Sequence, residues 1–210
     1  MNNPVRALVV IDVQNEYFTG ELPIEYPPVE TSLNNIIRTM EMAKKSEIPI
    51  VLVQNSAAEN SPVFAKGSKG WELHPKIQRQ HYDLLIEKRL PDAFAGTELM
   101  TWLKDRQINT LTIVGYMTHN CDASTIYHAS HAGFSVEFLS DATGSLPYEN
   151  QAGKATAEEI HRVFSVVFHS RFAAVTSTAE WLKAVKNKQG IASGNILASN
   201  RKAREINRSR

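Results

Sequence analysis

The chain has 210 residues, 42% of them hydrophobic and 21% charged, with a formal net charge of +1 and one cysteine. That length suits one domain with a sizeable core, and the composition is ordinary for a globular protein. The near-neutral balance excludes a general electrostatic pull toward nucleic acid or an anionic membrane, and a lone cysteine excludes an intrachain disulfide.

Residues 1–6 lead straight into a short apolar run, without the apolar stretch and cleavage site of a secretory signal. No segment approaches the roughly 20 apolar residues of a membrane helix. These features predict a cytoplasmic protein whose partner is a small-molecule substrate, with no nucleic acid and no membrane.

Residues 7–12, Ala-Leu-Val-Val-Ile-Asp, form a continuous apolar run that ends in an acid. Such runs suit strands covered on both faces, as in a parallel sheet. Residues 13–28 carry Gly20, Pro23, Pro27 and Pro28 and read as a loop. Helical periodicity runs over 29–46 through Leu33, Ile36, Ile37, Met40 and Ala43, with Glu30 early and Lys44 and Lys45 late. A second buried strand is expected over 49–54. The polar stretch 55–75 is long for a loop, which points to a functional segment, and Phe64 and Trp71 require it to pack on something. A third strand covers 82–88 and ends in a cation, and Thr97 caps a helix to about residue 105.

Strand four is expected over 110–114, broken by a turn at Gly115, and a helix opens near 118–120. Cys121 lies on its first turn, where the partial positive charge of a helix N-terminus favours thiolate. Gly133 ends that helix, and strand five covers 134–139. The pattern then predicts a loop over 141–150, a helix over 151–168, strand six over 172–176, and a last helix to about residue 186 capped by Ser177 or Thr178. Residues 187–210 set Lys188, Arg201, Lys202, Arg204, Arg208 and Arg210 against one acid, Glu205. They read as a basic tail, either weakly helical or an arm for a partner surface.

Strands alternating with helices predict an α/β fold, a three-layer αβα sandwich with a six-stranded, mostly parallel sheet over residues 1–186. Ligands bind such sheets beyond the carboxyl ends of the strands. That edge collects Asp12, Gln54, Asn55, Lys88 and 116–121. A thiol, a carboxylate and an ammonium at one edge supply a nucleophile, a base and a charge stabiliser.

Four segments carrying these residues resemble the isochorismatase-like cysteine hydrolases over about residues 5–185. They are Val-Val-Ile-Asp-Val-Gln-Asn-Glu-Tyr-Phe at 9–18, Glu-Lys-Arg-Leu-Pro-Asp-Ala-Phe-Ala-Gly-Thr at 87–97, Val-Gly-Tyr-Met-Thr-His-Asn-Cys-Asp-Ala-Ser-Thr at 114–125, and Ser-Asp-Ala-Thr at 140–143. The resemblance implies a catalytic triad of Asp12, Lys88 and Cys121. It implies a non-proline cis peptide at Tyr116–Met117 and an oxyanion hole from the Met117 and Cys121 N–H groups. It also implies a homo-oligomer, a dimer or tetramer. Lys88 would then join the helix N-terminus in favouring the Cys121 thiolate. Pocket-wall candidates are Phe18, Gln54, Asn55, Phe64, Trp71, Phe94, Tyr116, Thr118 and His119. Nicotinamidases of the family carry a metal-binding histidine motif after strand two. Here that place reads Gln-Asn-Ser-Ala-Ala-Glu at 54–59, and His74 alone follows, as a turn or rim residue. No metal and no cofactor are therefore expected. The expected activity is hydrolysis of a C–N bond in a small amide or carbamoyl compound. The alternatives are vinyl ether hydrolysis, a non-catalytic redox-sensing thiol, and an interaction role for the basic tail.

Overall fold

The computed structural model describes residues 3–208, with side chains to residue 205. Arg210 lies outside the described residues, as does the side chain of Arg208. The elements are β1 (Arg6–Ile11), α1 (Glu16–Thr19), α2 (Val29–Lys45), β2 (Ile50–Asn55), α3 (Pro75–Gln78), β3 (Leu84–Lys88), α4 (Leu99–Asp105) and β4 (Thr110–Tyr116). A π-helical turn, Thr118–Asp122, leads into α5 (Ala123–His131). Then follow β5 (Ser135–Gly144), β6 (Tyr148–Asn150), β7 (Gly153–Ala155) and α6 (Ala157–Val167). A second π-helical turn (Phe168–Phe172), β8 (Ala174–Thr176), α7 (Thr178–Lys186) and α8 (Ile196–Arg208) complete the chain.

Six strands form one sheet in the order β3-β2-β1-β4-β5-β8, and every pairing is parallel. The strands are apolar on both faces because both faces are covered. Leu8, Val10, Leu52 and Val114 pack with Leu33, Ile36 and Met40 of α2 and Trp181 of α7. Val9, Ile11, Val53 and Ile113 pack on the other side with Leu99 and Leu103 of α4 and Ile126 and Ala129 of α5. A buried ion pair between Arg6 and Glu137 spans 2.8 Å, and Trp181 Nε1 donates to Glu137 at 2.9 Å, tying α7 to the sheet.

Three local expectations are corrected. Gly115 does not break the strand, since β4 runs on through Tyr116. Its role is close approach: at φ +116° a Cβ would collide with the Ile11 carbonyl of the neighbouring β1. The helix expected from residue 151 begins only at Ala157. Thr156 accepts from the Glu159 N–H while Glu159 accepts from the Thr156 N–H, a capping box that fixes the start. The residues before it pair as the β6–β7 hairpin, and β5 continues through the first part of the expected loop.

The basic tail is helical over α8 and is tied to the domain before that helix begins. Arg6 donates to the Gln189 carbonyl, Ile191 packs on the α2–α7 side, and the Gly194 N–H donates to the His169 carbonyl at 3.0 Å. Among the described residues no helix is long and apolar enough to cross a membrane.

Candidate active site

The strand order reverses at β1, with β2 on one side and β4 on the other. A crevice opens at such a switch point, and the chain sends its chemistry there. Asp12 follows β1 directly, Asn55 ends β2, Lys88 ends β3, and the peptide after β4, Tyr116–Met117, is cis. Asp12 adopts a left-handed turn at φ +50°, which Asp tolerates better than most residues. The strand period of two places Lys88 on the inward face with Ile86, while Glu87 faces outward and pairs with Lys66 at 2.7 Å.

Lys88 Nζ lies 2.7 Å from Asp12 Oδ2 and 3.3 Å from Cys121 Sγ, with Asn55 Oδ1 at 3.4 Å. Asp12 is 0% exposed, Lys88 1% and Cys121 5%, so their interactions are little screened by water. Beyond that ion pair, neither Asp12 oxygen has a partner of full hydrogen-bond geometry among the described residues.

Burial raises the Asp12 carboxyl, and the Lys88 ammonium opposes that rise. Burial is the largest single influence on the Lys88 ammonium and works against it, but the charges and hydrogen bonds of Asp12 and Cys121 together outweigh it and raise the amine above its ordinary range. For Cys121, burial and then the Asp12 charge push the thiol well above its ordinary range, and Lys88 offsets only part of this. Lys88 acts on the thiol in the expected direction, but the net lowering expected from the helix start and the lysine is reversed by burial and the Asp12 charge. Desolvation outweighs both the helix start and the lysine. The resting arrangement is an ammonium–carboxylate pair beside a protonated thiol.

The pocket-wall candidates divide. Asn55 touches Lys88, and Phe64 packs on Tyr17, which is within electrostatic reach of Asp12 and Cys121, with centroids 5.2 Å apart. Phe18 packs against His74 and Tyr116. Gln54 Nε2 and Gln14 Nε2 both donate to the Trp71 carbonyl, and the Trp71 indole donates to Ser56 at 2.6 Å. These bonds pin the long 56–75 loop over the β1 end. Tyr116 is fully buried and bonds Ser32 at 2.7 Å, Thr118 bonds His161 at 2.9 Å, and Phe94 stacks on His128 of α5 at 4.4 Å. Those three side chains hold neighbouring elements together. His119 Nδ1 meets Ser145 Oγ at 3.1 Å. His74 caps α3, accepting from the Lys76 N–H. Among the described residues no group of three or more His, Cys, Asp and Glu side chains is placed to hold a metal ion.

Three residues near Asp12 and Cys121 escape sequence reasoning. Tyr17 and Tyr148 both lie within electrostatic reach of Cys121. The third, Asp122, follows Cys121, is 0% exposed, and leaves both carboxylate oxygens without a partner among the described residues. Burial first, then the Asp12 charge, raises its carboxyl well above the usual range. Its adjacency to Cys121 was the available signal, but burial is not readable from sequence. Such a group opposes folding once the unfolded chain alone releases the proton, above about pH 3.9. Asp122→Asn should therefore gain stability relative to the parent as pH rises from 4 to 7. Thermal melts across that range check it, and a pH-independent difference would contradict the assignment.

The family model described as Isochorismatase domain matches residues 6–183. A crystal structure of a protein from Burkholderia xenovorans LB400, provisionally assigned as an isochorismatase, is 62% identical. It covers 98% of this chain and 99% of its own, with a TM-score of 0.97. The uncharacterised isochorismatase family protein YddQ of Bacillus subtilis (strain 168) is 26% identical over 84% of this chain and 98% of its own length. The ureidoacrylate amidohydrolase RutB of Acinetobacter baylyi is also 26% identical, over 89% of this chain and 86% of its own. With the fold, the strand-end residues and these matches in agreement, the chain belongs to the isochorismatase family of hydrolases.

Proposed function

We propose that this protein is a cysteine hydrolase that cleaves the C–N bond of a small amide or carbamoyl-type substrate through a thioester on Cys121. The observation that carries the reading is the buried Lys88 ammonium held between Asp12 Oδ2 and Cys121 Sγ. A vinyl ether hydrolase has no evident use for that thiol, whereas acyl transfer from nitrogen does.

In the mechanism, substrate binding is accompanied by transfer of the Cys121 proton to Asp12. Lys88 stabilises the thiolate so formed, which attacks the substrate carbonyl carbon. The resulting oxyanion accepts hydrogen bonds from the Met117 and Cys121 N–H groups. Asp12 then returns its proton to the nitrogen as the C–N bond breaks, and the amine or ammonia departs. A water molecule gives a proton to Asp12 and attacks the thioester. The acid or carbamate leaves as the Cys121 thiol is restored. A neutral thiol at rest is compatible with this sequence, because the proton moves only when the carbonyl is in place. The similarity to an enzyme named as an amidohydrolase supports the same bond class.

The test is ammonia release from a panel of primary amides and ureido compounds, with a chorismate-type vinyl ether as comparison. Release from at least one amide is expected. Turnover of the vinyl ether alone would overturn the reading. Asp12→Asn should lower turnover by about 10²–10⁴-fold, the usual range for a lost general base. The same variant should speed alkylation of Cys121 by iodoacetamide near pH 8, because the negative charge that disfavours thiolate is gone. Slower alkylation in Asp12→Asn would contradict the electrostatics.

A further inference from the structure

The triad makes no use of the basic C-terminal segment, yet that segment has a built base and a built start. The Gly194 N–H donates to the His169 carbonyl at 3.0 Å. Glycine permits that approach, since a Cβ there would stand 2.8 Å from the same oxygen. Asn195 then caps α8, its Oδ1 accepting from the Ala198 N–H at 2.8 Å. α8 runs for 13 residues, and every side chain from Ile196 to Glu205 is exposed. A helix of about 12–15 residues is marginal in water unless one of its faces is packed. Among the described residues α8 has no buried face.

The neighbouring α6 carries a surface of matching form. Its exposed residues fall in two i, i+4 rows, one of Glu158, Arg162 and Val166, the other of Glu159, Val163 and Val167. Of the ten large apolar side chains exposed among the described residues, five are Val163, Val166, Val167, Ile196 and Leu197. They gather at one end of the molecule, because Val167 and Ile196 each stand two residues from the Gly194–His169 bond. Exposed apolar groups gathered in this way mark an interaction surface, whereas scattered ones do not. The row of Glu158, Arg162 and Val166 also lines a groove of about 340 Å³ with Tyr26, Pro27 and Asp141.

Along α8, Ile196, Asn200 and Arg204 form a row of the same spacing. Set antiparallel to the first α6 row, it brings Ile196 against Val166, Asn200 against Arg162, and Arg204 against Glu158. The eight-residue separations match, at about 12 Å in each helix. The charges match as well. α8 sets Arg201, Lys202 and Arg204 against one described acid, Glu205, while α6 opens on Glu158 and Glu159. The pairing is not made within one chain, where both rows are exposed. We infer that α8 is an exchanged arm of a two-fold dimer, in which each copy lays α8 along α6 of the other. Ile196 and Leu197 are buried against the α6 valines of the second copy, and Arg204 pairs with its Glu158. The apolar ends of all four helices then meet near the two-fold axis.

Sedimentation velocity on the full chain tests this arrangement. A dimer is expected at about 100 µM and below, as for a stable interface of micromolar affinity or better. Ile196→Asp/Leu197→Asp should weaken dimerisation about 100-fold or more, because four apolar side chains leave the interface. Aspartate suits the first turn of a helix, so the double substitution leaves α8 itself intact. Arg204→Glu and Glu158→Arg should each weaken dimerisation about tenfold or more, since like charges then face each other at both symmetry-related contacts. An equimolar mixture of these two variants should associate as tightly as the parent, because each then meets the opposite charge on the other. A contact within one chain could not be restored by mixing. A parent that is monomeric at about 100 µM would overturn the proposal. Dimerisation undiminished by Ile196→Asp/Leu197→Asp would overturn it too, by assigning the subunit contact to another face. So would a mixture that associates no more tightly than its components.

Discussion

Cys121→Ala is expected to lose amide turnover by about 10⁴-fold or more, while its unfolding free energy stays within about 1 kcal/mol of the parent. The large kinetic effect follows from removing the atom that forms the acyl bond, since no other cysteine exists in the chain to replace it. The small effect on stability follows from size and partnership. The Cys121 side chain is a small buried group with a 3.3 Å contact from Lys88, and Lys88 keeps its stronger contact to Asp12. Steady-state ammonia release and urea unfolding on the same preparation check both halves. Retained turnover would remove Cys121 from the chemistry. Unfolding of the variant under native conditions would make it a core residue first.

Lys88→Met is expected to act on folding as strongly as on chemistry. The substitution keeps an unbranched side chain of similar length but leaves Asp12, 0% exposed, without its counter-ion. Breaking a buried pair from one side costs about 3–5 kcal/mol, because the abandoned charge has no solvent to return to. That is a large part of the roughly 5–15 kcal/mol typical of a domain. The urea midpoint should fall with little change in slope. The loss should shrink as pH approaches 4, where Asp12 is protonated in the unfolded chain as well and no longer needs a partner. Adding Asp12→Leu to Lys88→Met should recover much of the stability and none of the activity. A Lys88→Met protein as stable as the parent at pH 7 would mean that Asp12 is not charged in the resting state.

The sheet and its edge were legible because parallel strands buried on both faces leave uninterrupted apolar runs. Residues 7–11 and 49–53 are such runs and 110–114 is close to one, interrupted by Thr110 and Thr112, and the polar residues that follow them fall at one edge. Asp12, Lys88 and the 116–121 turn could therefore be assembled before any coordinates. The hairpin at 148–155 could not. Its strands are three residues long, too short to show alternation, and they carry no Asn-Gly or Asp-Gly turn. The start of α6 was available in Thr156 and Glu159, whose spacing is that of a capping box, but an earlier start was favoured by the apparent helical run. The net direction of the Cys121 shift was hidden for a different reason. A helix N-terminus can be read from the chain, but the depth at which it is buried cannot, and here depth decides the sign. Asp122 shows the same limit, since only packing reveals that its carboxylate has no partner.

The most direct test of the account is intact-protein mass spectrometry after rapid acid quenching of the enzyme with a turned-over amide. A transient mass increase equal to the substrate acyl group is expected, located to the peptide containing Cys121 and absent in Cys121→Ala. Sustained turnover with Cys121 unmodified at every quench time, and undiminished in Cys121→Ala, would contradict it.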